Sequence, residues 1–289
     1  MKIGFAGLGV MGGPMARHLV QAGHEVAGFN RSPDKARAWS EITGGLFAGT
    51  VAEAASGAEL LILCVGNDDD VRQVVGEALP HLADGAVVVD HTTTSARVAR
   101  EMADLAAARG CAFIDAPVSG GQAGAENGQL SVMAGGDAEA LARVEAVLMA
   151  YSKAVKHMGP SGAGQLTKMV NQIAIAGVVQ GLAEAVHFAA VAGLDTDAAY
   201  DAISKGAAQS WQMDNRWKTM ADGRFEFGFA VDWMRKDLGL VLDEARSNGA
   251  HLSLTALVDQ FYSEVQSMGG SRWDTSSLAA RLQDRSPKR

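Results

Sequence analysis

Short apolar runs alternate with stretches of helical period through residue 151. KIGFAG (2–7), HEVAGFN (24–30), LLILCVG (60–66), AVVVDHT (86–92), CAFIDAP (111–117) and LSVMAGG (130–136) read as strands. Between them, MGGPMARHLVQAG (11–23), PDKARAWSEI (33–42), VRQVVGEALPHL (71–82), SARVAREMADLAAARG (95–110) and AEALARVEAVLMAY (138–151) space their apolar residues as helices do, the third with a late break. Apolar runs without alternation mark strands buried on both faces. That is what a mostly parallel sheet with helices on two sides requires.

The strand signal stops after GPSGAG (159–164). The longest apolar stretch follows, QLTKMVNQIAIAGVVQGLAEAVHFAAVA (165–192). As a helix it spans about 42 Å, enough to cross a bilayer. It also carries Lys168, Asn171, Gln172, Gln180, Glu184 and His187. Those groups fit a helix buried on most sides inside a soluble protein better than a lone membrane span. Further helical patterns lie near 195–204, 231–248, 252–268 and 275–283. The expected boundary is near residue 162: an α/β domain over 1–162, then an all-helical domain over 163–289, joined by a long helix of about 165–192. The tail RSPKR (285–289) reads as a frayed end.

GLGVMG (7–12) fits G-x-G-x-x-G, with Gly7, Gly9 and Gly12 separated by Leu8, Val10 and Met11. In a chain with 34 glycines the pattern alone is weak. Its context is not: it follows a strand, opens a helix, and a second strand ends at Asn30. This is the dinucleotide fingerprint of a Rossmann domain, a doubly wound sheet whose helix N-terminus holds a pyrophosphate. The turn after the second strand is Asn30-Arg31-Ser32. A carboxylate at position 30 would select NAD through the ribose hydroxyl. Arg31 can pair with a 2′-phosphate, with no carboxylate to repel it, so NADP is the expected cofactor and NAD the lesser one. Arg31 also reads as a solvated surface residue beside Asp34.

Lys+Arg of 25 against Asp+Glu of 33 leaves a net charge of −8, which argues against a nucleic-acid partner. Two cysteines, Cys64 and Cys111, are too few for a disulfide framework or a zinc site, so no metal is expected. Both fall in apolar strands and read as reduced core thiols, which fits a cytoplasmic compartment. The N-terminal apolar stretch is explained by a strand and glycine turn rather than by an export signal.

Two segments carry the candidate chemistry. In DAPVSGGQAGAENGQLSVMAGG (115–136), Ser119-Gly120-Gly121 follows the carboxyl end of a strand. Glycine N–H groups and one hydroxyl can form an anion nest suited to a carboxylate, and the same segment reads as a hairpin connection. In GAGQLTKMVNQ (162–172), Lys168 shares its long apolar helix with one other formal charge, Glu184. An ammonium there must reach a cleft or lose its charge. Asn171 and Gln172 lie three and four residues on, along the same helix face. Lysine can protonate a carbonyl oxygen as hydride arrives, and a snorkelling helix-start lysine is the plainer alternative.

These segments, with GLGVMGGPMA at 7–16 and MRKDLGLVLDEA at 234–245, resemble the β-hydroxyacid dehydrogenase family. That family includes 3-hydroxyisobutyrate dehydrogenase, tartronate semialdehyde reductase and glyoxylate/succinic semialdehyde reductases. The resemblance covers nearly the whole chain. It implies hydride transfer between a small β-hydroxy acid and its semialdehyde, a homodimer or homotetramer, and an active site between a Rossmann and a helical domain. Lys168 matches the family's catalytic lysine, and Asn171 its supporting amide, which some members place where Gln172 stands. Ser119, Gly120 and Gly121 match the loop for the substrate carboxylate. Val65 and Gly66 match a cofactor loop usually written Leu-Pro. Thr93 in DHTTTS matches a Ser/Thr near the nicotinamide, and Lys236 in RKDL a lysine on the cofactor side. Trp211 and Trp233 resemble bulky positions flanking the substrate, with Phe229 a further wall, although buried core aromatics fit their spacing equally. Imine reductases and reductive aminases share the fold but usually replace the lysine. 6-Phosphogluconate dehydrogenase is longer and has His where Asn171 stands. A non-catalytic NADP-binding regulator is the remaining alternative.

Overall fold

The computed structural model describes residues 1–284. The tail at 285–289 lies outside the described residues. The chain divides into two compact units, Met1–Lys168 and a second beginning at Met169. The sequence placed the boundary near 162, ahead of the long helix. In the structure the division falls within that helix, just after Lys168.

The first unit runs β1 (Lys2–Ala6), α1 (Gly12–Gln21), β2 (Glu25–Phe29), α2 (Pro33–Thr43), β3 (Leu46–Phe47), α3 (Val51–Ala55), β4 (Leu60–Leu63) and α4 (Asp68–Ala78), with a short 3-10 turn Leu79–His81 after it. It continues through β5 (Val87–Asp90), α5 (Ala96–Ala107), β6 (Ala112–Asp115), β7 (Val118–Ser119), α6 (Gly121–Glu126), β8 (Leu130–Gly136), α7 (Ala138–Leu148) and β9 (Ser152–Gly159) into the first turns of α8 (Ala163–Val191). The strand order is β3-β2-β1-β4-β5-β6-β8-β7, with β9 on the other side of β8. The pairs from β3 to β6 are parallel. β8 runs antiparallel to β6 and β7, and parallel to β9.

Side chains of a strand alternate between faces, and here both faces are covered. Leu60 and Ile62 join a core with Ile3, Phe5, Val87 and Val89 under α1 and α7. Leu61 and Leu63 join the opposite core with Val88, Phe113 and residues of α4 and α5. All four residues of β4 are fully buried, which is why that run shows no polar alternation. β9 escaped the sequence reading because Lys153, Lys156 and His157 interrupt its apolar pattern. Such charges suit the edge of a sheet. β3, α3, α6 and β7 also went unread, being only two to six residues long.

The second unit takes the rest of α8, then α9 (Thr196–Ile203), α10 (Trp211–Ala221), α11 (Val231–Asn248), α12 (Ser253–Ser267), a 3-10 turn Thr275–Ser277 and α13 (Leu278–Asp284). No strand follows β9 among the described residues; one isolated bridge joins Ala230 and Asp274. α10 was not foreseen: WQMDNRWKTMA has a low apolar content, and only Met213, Trp217 and Met220 are buried. Ala176, Val179, Leu182, Ala183 and Val186 of α8 pack into a core with Trp217, Met234, Leu238 and Tyr262.

The expectation that α8 is buried on most sides needs correction. It is long and apolar enough to cross a membrane, yet only 39% of its most apolar window is buried. Val170, Ala174, Val178, Gly181, Ala185 and Phe188 recur every three or four residues and are all exposed. Period alone could not reveal this, because an all-round apolar helix looks the same whichever side is covered.

Candidate active site

In the first unit the turn after β1 is tied to the exit of β2. Gly7 N–H donates to Phe29 O at 2.9 Å, and Leu8 N–H to Asn30 Oδ1 at 3.1 Å. Asn30 Nδ2 donates to Ser32 O at 3.3 Å. Gly7 has φ 102°, and a Cβ there would strike the Cys64 carbonyl. A Cβ on Gly12 would strike the carbonyl of Gly7. Gly9 is different, because its Cβ would meet nothing within 4 Å. Packing therefore demands two of the glycines, while the third faces the open space that close approach of a pyrophosphate needs. No side chain caps α1 at Met11, so its first-turn N–H groups can take an anion. Leu8 is buried beneath the turn and Val10 exposed. These residues fit a dinucleotide.

Arg31 is 90% exposed and lies 3.5 Å from Asp70. The expectation of no opposing carboxylate is thus corrected. The first turn of α4 supplies one from 39 positions on, and Asp70 Oδ2 is held there by the Gly66 N–H at 3.1 Å. Val65 N–H donates to Thr92 Oγ1 at 3.0 Å, and Asn67 caps α4 by accepting from Asp69 and Asp70 N–H. The Val65–Gly66 loop, which contains no proline, is shaped by hydrogen bonds. Ser32 precedes α2 with extended backbone.

Thr93 sits in a turn fastened on both sides. Thr92 N–H donates to Asp90 Oδ1 at 2.9 Å, and Thr94 N–H to Gln165 Oε1 at 3.0 Å. Gln165 Nε2 donates back to Thr92 O at 2.7 Å. Gln165 is fully buried in the first turn of α8. Asp115, also fully buried, accepts the N–H of Gly162 at 2.7 Å and of Gln165 at 3.0 Å. Burial pushes its carboxyl up, and those backbone donors pull it back. A Cβ on Gly135 or Gly164 would crowd Asp115, so the glycines leave room for this seat.

Seated this way, α8 brings Lys168 to the loop after β6. Lys168 is 9% exposed, and its Nζ donates to Val118 O at 3.0 Å. The next residue is Ser119, paired with Ser131 of β8. Gly120 and Gly121 follow with φ of 131° and 60°, conformations that side chains other than glycine rarely adopt. The segment 115–136 is thus a hairpin, β7 to β8, with α6 set in its connection. Lys168 and Ser119-Gly120-Gly121 are neighbours in the first unit.

In the second unit Asn171 Nδ2 donates to Gln172 Oε1 at 2.8 Å, and Gln172 Nε2 donates to Asp237 Oδ2 at 2.7 Å. Lys236 Nζ lies 3.0 Å from Asp237 Oδ1, and 6.0 Å from the centroid of the Trp233 ring. Gln172, expected among the substrate-binding residues, is buried with both amide ends engaged inside the fold. That arrangement orients Asn171 and leaves its Oδ1 for other partners. Trp211, Phe229 and Trp233 are 58%, 41% and 42% exposed, so none is a buried core aromatic. The Arg216 guanidinium lies 5.0 Å from both the Trp211 and Phe227 rings and pairs with buried Asp274 at 2.9 Å.

Asp115, Gln165, Asp70, Thr92 and Asp237 are the positioning residues that sequence reasoning missed. Asp115 had a usable signal: a lone carboxylate closing an apolar strand must find donors when buried. No cluster of His, Cys, Asp or Glu able to hold a metal occurs among the described residues. Both cysteines are thiols. Cys111 is buried, whereas Cys64 is only half-buried, because β4 ends one residue before it.

Comparison with known proteins covers both units. Residues 2–159 match the family model described as the NAD-binding domain of 6-phosphogluconate dehydrogenase. Residues 162–282 match the one described as NAD-binding of NADP-dependent 3-hydroxyisobutyrate dehydrogenase. An uncharacterized oxidoreductase of Shewanella frigidimarina is 62% identical over 285 residues, 98% of each chain. The 3-hydroxyisobutyrate dehydrogenase of Pseudomonas aeruginosa is 34% identical over 279 residues, covering 90% of this chain and 91% of its own. The solved structure of Mycobacterium tuberculosis 3-hydroxyisobutyrate dehydrogenase with L-serine superposes with a TM-score of 0.89 at 32% identity, covering 97% of this chain and 98% of that one.

Proposed function

The chain belongs to the β-hydroxyacid dehydrogenase family and is an NAD(P)-dependent oxidoreductase of the 3-hydroxyisobutyrate dehydrogenase type, and on that footing we propose that it interconverts a small β-hydroxy acid and its semialdehyde, with NADP the preferred cofactor. The observation that carries the reading is Lys168, a buried ammonium held by the Val118 carbonyl beside the Ser119-Gly120-Gly121 loop.

Hydride chemistry is what a nicotinamide cofactor supplies when bound. The residues to hold it are the 7–12 turn with the first turn of α1, Asn30, Arg31 and Ser32, the Val65–Gly66 loop, Thr93 and Lys236. Lys168 gives a proton to the carbonyl oxygen in reduction and takes the hydroxyl proton in oxidation. Asn171, oriented by Gln172, steadies the same oxygen. The Ser119 hydroxyl and the backbone N–H groups of Gly120 and Gly121 take the substrate carboxylate. Trp211 and Trp233 serve as walls that favour an acid of three or four carbons.

The exposed apolar stripe of α8, Val170 to Phe188, supports a homodimer or homotetramer rather than a membrane or nucleic-acid partner. Two cysteines that form no disulfide and the net charge of −8 suit the cytoplasm. The deciding assay follows NADPH and NADH oxidation with glyoxylate and with succinic, tartronate and methylmalonate semialdehydes, each beside an aldehyde of similar size without a carboxylate. Turnover confined to a carboxylate-bearing aldehyde is the expected outcome. Equal turnover of the neutral analogues would remove the anion-site reading.

A further inference from the structure

The segment leaving β6 presents three successive carbonyls to three different partners. Ala116 O meets His91 Nδ1 at 2.5 Å, Pro117 O accepts Met133 N–H at 3.0 Å, and Val118 O accepts Lys168 Nζ at 3.0 Å. The N–H of Ala116 donates to Asp90 O at 2.7 Å. Its carbonyl belongs to the next peptide, Ala116–Pro117, which has no N–H to pair with the sheet, and His91 is the donor that holds it. Ala116 is fully buried, so water cannot replace that donor.

The protonation of His91 follows from its partners. A carbonyl only accepts, so Nδ1 carries a hydrogen. Burial lowers the imidazole's pKa to about 4, so the ring is neutral and Nε2 accepts. The donor to Nε2 is the Tyr151 hydroxyl at 2.7 Å, on a fully buried ring set edge-on at a centroid distance of 5.5 Å. Burial holds that phenol well above its ordinary pKa, so it keeps its proton. Asp90 precedes His91 in the chain, and the Cys64 thiol lies on the Tyr151 side. His91 is too deeply buried to touch substrate, and the chemistry described above does not use it.

We propose that His91, anchored by Tyr151, is a positioning residue for Lys168. It fixes the Ala116–Pro117 peptide plane and thereby aims the Val118 carbonyl that holds the lysine ammonium. The ring rigidity of Pro117 passes the orientation on, because its φ cannot turn to absorb a tilt of the preceding peptide. The same imidazole joins the turn bearing Thr93 to the loop bearing Ser119, since Thr92 follows it directly and Ala116 is its partner. The catalytic consequence rests on the reading of Lys168 as the proton donor.

Three substitutions separate positioning from stability. His91→Asn keeps an N–H close to the Nδ1 place but cannot reach Tyr151. His91→Gln places its amide near Nε2 and loses Ala116. His91→Leu makes neither bond. Gln and Leu are expected to lower kcat about tenfold to a hundredfold, with Asn restoring most of it and the KM for NADPH unmoved in all three. The NMR resonance of the Lys168 side chain, assigned by its loss in Lys168→Arg, should move in the Gln and Leu variants and stay in Asn. If kcat tracks Tm across the three whichever contact is kept, or if the Lys168 resonance is the same in all, the proposal is overturned. If Lys168→Ala keeps its kcat, the proton-donor reading falls instead, and the resonance still tests the positioning.

Discussion

Asp115 Oδ2 accepts the backbone N–H of Gln165 at 3.0 Å, fastening the end of β6 to the first turn of α8. With the Gly162 N–H on Oδ1, one carboxylate satisfies two donors at a helix start and meets the positive end of its dipole. This seat sets where Lys168 falls, three residues beyond Gln165 on the same helix.

Asp115→Ala should destabilise the protein by about 3 kcal/mol, since it removes charge-assisted hydrogen bonds and strands buried N–H groups. Urea unfolding followed by circular dichroism measures it. A loss under about 1 kcal/mol would mean that water or a shifted helix start takes over the donors.

Lys168→Ala should lower kcat by about 10²–10⁴-fold while cofactor affinity survives, because the 7–12 turn is built without it. Lys168→Arg should fail as well, since a guanidinium does not release a proton near neutral pH. Steady-state rates and a fluorescence titration with NADPH check both. A kcat within about threefold of the parent, with chemistry limiting, is the result that would sink the lysine mechanism.

Arg31→Ala should raise the KM for NADPH about tenfold and leave that for NADH nearly unchanged. This is the low end for a charge-assisted contact, because the guanidinium is exposed and shared with Asp70. Asp70→Asn should act in the opposite sense, lowering the NADPH KM by freeing Arg31. A parent enzyme that prefers NADH would contradict the NADP assignment directly.

His91 makes stability depend on acid. Its folded pKa is about 4 against 6.5 in the unfolded chain, so only the unfolded state binds the proton in between. Stability is therefore full above pH 6.5 and falls as the pH drops toward 4, by about 3 kcal/mol from this group. His91→Asn should flatten that part of the profile. Denaturant midpoints between those limits, compared for parent and variant, give the answer; parallel profiles would show that other groups govern the acid limb.

What the sequence could show was local. β4 is legible because LLIL is buried on both faces of a sheet, and burial on both faces erases the polar alternation of an edge strand. The 7–12 turn is legible because glycine is demanded by geometry within a few residues. Lys168 stands out as a charge in an apolar helix. Ser119, Gly120 and Gly121 were legible as a loop that also reads as a hairpin connection, and LSVMAGG as the strand after it, but α6 within that connection was not.

The amino-acid sequence alone thus determined the doubly wound sheet, the dinucleotide turn and the family, because each depends on the period or spacing of neighbouring residues. Tertiary structure decided the rest. β9 exists because β8 offers it a pairing edge, whatever its own charges prefer. α10 exists because three of its residues find a core made by other helices. The partners that hold the site are far apart in sequence: Thr94 with Gln165 across 71 positions, His91 with Tyr151 across 60, Gln172 with Asp237 across 65. A buried polar group must find a hydrogen bond, but which group supplies it depends on the closure of the whole chain, and no local pattern carries that information.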